Sequence, residues 1–196
     1  MASRRDWLKA AALLPPLLFL RDALAQGRLE KGVYRRRGEV KISGDRVSTG
    51  ADGELVFVIG KDAMLVRRDS EVSLIKNGLR IVTGALLGVF AGRRQLETGT
   101  AVIGIRGTAV YIEAERSRTY VCTCYGEAVL EPRGDPKARE TVRTQHHEQP
   151  RYIMAQGAPQ ILLPAPVVNH TDAELVFLES LVGREPSFVG KGYKPY

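Results

Sequence analysis

The sequence predicts an all-β protein, a short-strand sandwich or roll, with one short amphipathic helix near its C-terminus. Three observations predict it. Between residues 39 and 131 the apolar runs are brief, dominated by Val, Ile, Tyr and Thr, and broken by turn residues about every eight to twelve positions, which is the pattern of many short strands. Over the same span no sustained helical period intervenes, which argues against alternating β–α units. A helical spacing with both a start and a stop signal occurs in "NHTDAELVFLESLVG", close to the end of the chain.

The chain opens with "MASRRDWLKAAALLPPLLFLRDALAQ". Arg4, Arg5 and Lys9 make a basic head, Ala10 to Leu20 an apolar stretch, and Ala23 and Ala25 place small residues ahead of Gln26. This is the layout of a cleaved signal peptide over residues 1–25. The apolar stretch is shorter than the roughly 20 residues that cross a bilayer. Export to the periplasm is therefore expected, and a stable transmembrane span is not. "SRRDWLK" resembles the twin-arginine export signal, with Trp7 where Phe is usual; an ordinary secretory head that happens to contain Arg-Arg is the other reading. Cleavage leaves 171 residues, enough for one domain, and takes the formal net charge from +7 to +5. The one dense basic run, "RLEKGVYRRRGEVK", spans residues 28–41, and residues 26–37 read as a solvated basic arm. No aromatic interleaving or nucleic-acid motif accompanies it, so nucleic acid is not an expected partner.

The β domain is expected over residues 38–131. "ELVFVI" follows Asp52-Gly53 and precedes Gly60; "MLVR" and "EVSLI" come next. Asn77-Gly78 then separates "EVSLIK" from "LRIVTG", a signal for a hairpin with a type I′ turn, because both residues tolerate positive φ. "GALLGVF", "RQLETG", "AVIGIR", "TAVYIEAE" and "RTYVCTCYGEAVLE" complete the strands, with "RSR" as the turn before the last. Residues 132–170, rich in charge, Pro and Gly, read as loop and extended connector. Residues 171–196 read as a short helix and tail: Thr171 and Glu174 form a capping box, Leu175, Leu178, Leu181 and Val182 share a face, and Gly183 supplies a stop.

The run from "RRGEVKISGDRVSTGADGELVFVIG" through "LRIVTGALLGVF" to "TGTAVIGIRGTAVYIEAERSRTYVCTCYGEAVL" resembles the FecR domain family of bacterial envelope proteins. The likeness is strongest in "TAVIGIRGTAVYIE", where Gly104, Arg106, Gly107 and Thr108 match the family's "RGT" strand, and it covers about half the chain. It implies an all-β periplasmic module with no catalytic residues. Founding members of that family carry a cytoplasmic sigma-factor-contacting region and a membrane span, neither of which is visible here. The resemblance thus implies a free periplasmic binding or scaffold role in envelope signalling, with an envelope protein or a polysaccharide as partner. In the residues themselves, Gly107 suits a tight bulge and Thr108 a local backbone bond, while Arg106 is expected to pair with a buried carboxylate such as Glu97 or Glu113.

Enzyme signatures are missing. In "GTAVIGIR", Ile105 and Arg106 stand where a P-loop needs Lys and Ser or Thr, and there is no Gly-x-Ser-x-Gly, His-Glu-x-x-His or dinucleotide fingerprint. The chemistry that remains lies in "TYVCTCYG", which holds the only two cysteines, and "QHHEQP". On an extended strand Cys122 and Cys124 share a face with Tyr120, while Val121, Thr123 and Tyr125 face the other way. Three readings stand at this point. The cysteines are small buried residues; or they form a disulfide, which at a spacing of about 6.5 to 7 Å requires a kink or bulge; or they bind zinc or copper with His146 or His147, both histidines serving only from a loop. His170 is a more remote candidate. The preferred function is a non-catalytic FecR-like module without a cofactor, and the alternative is a metal-binding or redox protein built on Cys122, Cys124, His146 and His147.

Residues 1–30 fused to a reporter that is active in the periplasm only when exported folded should confer activity, and replacing Arg4 and Arg5 with Lys should abolish it. Equal export by the Lys pair would leave the general signal peptide and remove the twin-arginine reading.

Overall fold

The structure, a computed structural model, describes residues 29–196. The expected signal peptide and the start of the basic arm lie outside the described residues. Among the described residues twelve antiparallel strands form one sheet: β1 (Val33–Arg37), β2 (Val40–Ser43), β3 (Arg46–Thr49), β4 (Glu54–Ile59), β5 (Asp62–Val66), β6 (Glu71–Ile75), β7 (Gly78–Glu97), β8 (Ala101–Ala114), β9 (Arg118–Pro132), β10 (Glu140–Thr144), β11 (Arg151–Met154) and β12 (Leu162–Pro164). The main path runs β1-β4-β5-β7-β8-β9-β11-β12, with β10 on β9 and the β2-β3-β6 ribbon on the first part of β7. Helix α1 (Asp172–Ser180) follows, with its capping box formed by Thr171 and Glu174.

Of the two architectures expected, the roll is the one formed, and β7 makes it. Its first part pairs with β6, its middle, Leu86–Val89, with β5, and its opposite edge with β8 from Gly84 to Glu97. A straight strand would hold Asn77 and Gln95 about 60 Å apart, yet the Gln95 N–H donates to the Asn77 carbonyl at 3.0 Å. The strand has coiled back on its own beginning. A register shift between Phe90 and Arg93 lies in the bend, where a bulge sharpens strand twist.

This closure changes the role of Gly78. The hairpin forms, but Ile75 pairs with Gly78, so Lys76 and Asn77 make the corner and neither adopts positive φ. The type I′ turn expected at Asn77-Gly78 is therefore not what forms. A Cβ on Gly78 would run into the Gln95 backbone, and glycine serves close approach there.

Other differences follow from which faces the roll leaves open. The end of the basic arm is β1, an edge strand whose Arg35 pairs with Glu54 at 2.9 Å; charged side chains on an exposed edge disguise it as an arm. The expected connector contains β10, β11 and β12, paired to one another or to β9. In β10 only Val142 and Thr144 are buried, so its sequence lacks an apolar run. Arg106 is exposed and does not point into the core. The carboxylates expected to meet it are engaged elsewhere, Glu97 with Arg80 and Arg133, Glu113 with Tyr111 and Asn169. Next to it Gly107 adopts φ 58°, and the Thr108 hydroxyl donates to the Glu127 carbonyl at 2.8 Å and accepts the Arg106 N–H at 3.3 Å. Gly104 lies in register with Gln95 and Val129.

The roll has two apolar layers. The inner one includes Leu55, Phe57, Leu86, Ile103 and Ile112. The outer one includes Leu65, Leu87, Tyr111 and Cys122, and is covered by Leu175 and Leu178 of α1 and by Phe188 of the tail. Each fully buried Leu contributes about 1.5–3 kcal/mol, so the helix and tail form a cap whose attachment rests first on apolar burial.

Arg106→Ala should change unfolding free energy by no more than about 0.5 kcal/mol, as for an exposed side chain. Gly78→Ala should lower it by about 1–3 kcal/mol, the range for forcing atoms into filled space. Urea unfolding of both variants checks this; a large loss from Arg106→Ala or none from Gly78→Ala would contradict the closure described.

Candidate functional site

Beneath the cap, side chains from three segments converge. The first is β9. Ala109 pairs with Tyr125 and Val110 with Thr123, which leaves Cys124 as the extra residue of a bulge. That bulge breaks strict alternation, and Tyr125 joins Cys122 and Cys124 in the outer layer instead of facing away. The second is the turn after β10, where His147 takes φ 63° and its N–H donates to the Cys124 carbonyl at 2.9 Å. The Glu148 carboxylate accepts the N–H groups of Gln145 and His146 and holds this turn. The third is the approach to α1, where Asn169 takes φ 58° and delivers His170 just before the N-cap. Two non-glycine residues in the left-handed region, His147 itself and Asn169 just before His170, mark a backbone held in place by its surroundings.

The structure thus brings together Cys122, Cys124, His147 and His170, with one donor atom from each within 4.8 Å of all the others. Cys122 Sγ lies 3.3 Å from His147 Nδ1, which lies 3.1 Å from His170 Nε2. Both cysteines are fully buried and free, so the disulfide is not formed. His146 is not part of this group. Its Nε2 meets the Asp172 carboxylate at 2.9 Å, and its ring stacks on Tyr193 and packs against Phe188. His170 stands where the sequence reading placed His146. The signal available was that adjacent residues on an extended chain point apart, so only one of His146 and His147 could enter.

The outward nitrogens have defined partners. His147 Nε2 lies 3.0 Å from Asp172 Oδ1, and His170 Nδ1 lies 2.6 Å from the Val168 carbonyl. Both partners only accept, so each of these nitrogens carries a proton and donates. Charges inside the group interact strongly. The hydrogen bond from Cys124 draws the Cys122 thiol well below its ordinary pKa against the opposing effect of burial, with help from His147 and His170. Burial, with Cys122 alongside, pushes Cys124 well up. Burial disfavours charge on His147, but Cys122 and Asp172 outweigh it and raise its pKa. Asp172, which burial would raise, is held below the usual carboxylate range by His146, the Tyr196 N–H and His147.

A polar cleft of about 880 Å³ adjoins the group. One wall is fixed by a chain of contacts. Arg67 donates to the Asn169 carbonyl at 3.0 Å, pairs with Glu174 at 2.8 Å and lies over the Tyr111 ring. Glu113 accepts from Tyr111 and from the Asn169 side chain. Tyr111 in turn stacks on His170, with ring centres 4.6 Å apart. Arg68 and Arg116, both exposed, also line the cleft.

The chain matches no protein-family model and no curated protein. Two solved structures share its fold, both crystal structures of a Parabacteroides distasonis protein provisionally described as an anti-sigma factor, at 1.65 and 2.50 Å resolution. Each superposes with a TM-score of 0.51 at 8% identity, covering 61% of this chain and 58% of that one. The likeness is one of fold.

Burial raises the pKa of Tyr111, Tyr120 and Tyr125 above the ordinary 10.0, aided by Glu113, Cys122 and Glu179 respectively. Above pH about 10 the unfolded chain therefore binds fewer protons than the folded one, and stability falls as pH rises. In an alkaline titration these three of the seven tyrosines should ionise only as the β signal in circular dichroism collapses. Phenolate absorbance from all seven with the fold intact would contradict their burial.

Proposed function

We propose that the chain is a non-catalytic, FecR-like binding module of the bacterial envelope that engages a protein partner through its polar cleft, in signalling or as a scaffold. The observation that carries this reading is the cleft itself, about 880 Å³ in volume, with one wall fixed by Arg67, Glu113 and Asn169 and exposed Arg68 and Arg116 free to meet a partner. Its mixed charge, with Asp52, Glu54, Asp69 and Glu115 beside the arginines, suits a polar polypeptide surface. The "RGT" strand and the fold shared with a protein provisionally described as an anti-sigma factor support a place in envelope signalling. The signal-peptide pattern supports a periplasmic one.

A second reading, metal binding, is favoured by the four converging donor atoms. Thiols sealed at 0% exposure suit holding a metal better than exchanging electrons or disulfides with a partner. The two readings are compatible, since His170 of the group and Asn169 of the cleft are consecutive.

Photo-crosslinking residues placed at Arg68 or Arg116 should yield a discrete protein adduct in intact cells, and one placed at exposed Lys41 on β2 should not. Adducts from none of the three positions, or equally from all, would remove the cleft as the binding surface.

A further inference from the structure

We propose that Cys122, Cys124, His147 and His170 form a structural zinc site, binding through both Sγ atoms, His147 Nδ1 and His170 Nε2, and that the metal clasps the C-terminal cap to the sheet. The inference does not rest on the partner-binding reading.

Geometry is the first argument. Zinc bonds of about 2.3 Å to sulfur and 2.0–2.1 Å to nitrogen, set at tetrahedral angles, imply edges of about 3.8 Å for S···S, 3.5 Å for S···N and 3.3 Å for N···N. The S···N separation from Cys122 to His147 is 3.3 Å, the N···N separation is 3.1 Å, and all four atoms lie within 4.8 Å. A tetrahedral set of two sulfurs and two nitrogens suits zinc or an iron–sulfur centre, and two cysteines with two histidines around a single ion is an ordinary structural zinc set.

Proton placement is the second. His147 Nε2 and His170 Nδ1 spend their protons on Asp172 and on the Val168 carbonyl. In the neutral rings Nδ1 of His147 and Nε2 of His170 then present two lone pairs to each other across 3.1 Å. A cation between them, whether a proton or a metal ion, removes that opposition. A bound Zn²⁺ does so, and the outer hydrogen bonds are those that orient histidine ligands in metal sites. His146, on the same Asp172 carboxylate, supports the acceptor without entering the site.

Charge is the third. Zn²⁺ displaces the two thiol protons to solvent, and with two thiolates and two neutral imidazoles the site carries no net charge. A buried group needs that balance, because an uncompensated buried charge is strongly destabilising. Exposures of 0, 0, 1 and 5% for the four ligands leave no position open to a substrate, as in structural rather than catalytic zinc sites. The β9 bulge explains how a Cys-x-Cys spacing, tight for an extended strand, turns both thiols to one point.

The full chain, purified without a polyhistidine tag or chelator, should carry about one equivalent of zinc by elemental analysis. Cys122→Ser and His170→Gln should lose it, while His146→Gln should keep it. Chelation should lower the melting temperature, and zinc should restore it. Because the Cys122 variant can fail to fold, cobalt loading of the wild-type chain gives an independent reading. Tetrahedral d–d bands with thiolate charge transfer are expected. Folded wild-type protein with no metal and two titratable thiols would overturn the proposal. So would a Cys122–Cys124 disulfide, copper in place of zinc, or a site lost with His146 and kept without His170.

Discussion

The coil of β7 is the constraint on which the rest of the molecule depends. One backbone hydrogen bond, from Gln95 to Asn77, records that a single strand has come round to meet its own start. A strand that coils this far gives a sheet with a closed inside and an exposed outer apolar face. The inside is filled by alternate residues of nearly every strand. The outside, where Leu65, Leu87, Tyr111 and Cys122 emerge, would be an apolar patch open to water without a cover. Helix α1 and the tail exist in this fold as that cover.

The cover is fastened by polar groups as well as by burial. Tyr125 donates to Glu179, which pairs with Arg184, whose Nη1 reaches the Lys61 carbonyl at 2.7 Å. At the other end of α1, Asp172 gathers His146, His147 and the Tyr196 backbone around one carboxylate. The Cys/His group sits directly behind this knot, and one residue before His170 the chain becomes the wall of the cleft. Asn169, His170 and Tyr111 therefore belong to both places at once. A shift of the helix start by a fraction of an ångström would move the Asn169 amide against Glu113 and the His170 ring against Tyr111 together.

Much of this was legible in the residues. The β class, the helix and its capping box rest on local rules that tertiary context did not override. What could not be read was decided by approach between distant segments. Gly78 looked like a turn residue because nothing local reveals Gln95 arriving beside it. Arg106 lay in an apolar run and looked buried; Gly107, with positive φ, interrupts the alternation that made it look so. β1 and β10 are strands without apolar runs, because each shows charge to solvent along an edge or open face. At the site, Cys122, Cys124 and His147 were named directly and His170 only as a more remote candidate, because it stands apart in sequence and is brought in by the turn at Asn169. The bulge at Cys124 is invisible to a period-two reading, yet it aims the thiol.

The order in which these pieces can come together is set by the same topology. β7, β8 and β9 pair as successive hairpins, so their contacts form between near neighbours in the chain. The cap has no such local route. Cys122 and His147 are 25 residues apart, and His147 and His170 another 23, so the cap has nothing to seat against until the β9 bulge and the β10 turn exist. Contact separation thus favours assembly outward from the β7–β9 ladder, with the helix docking onto it. Loosening of the cap alone would uncover the outer apolar face and leave the contacts of the roll beneath it intact.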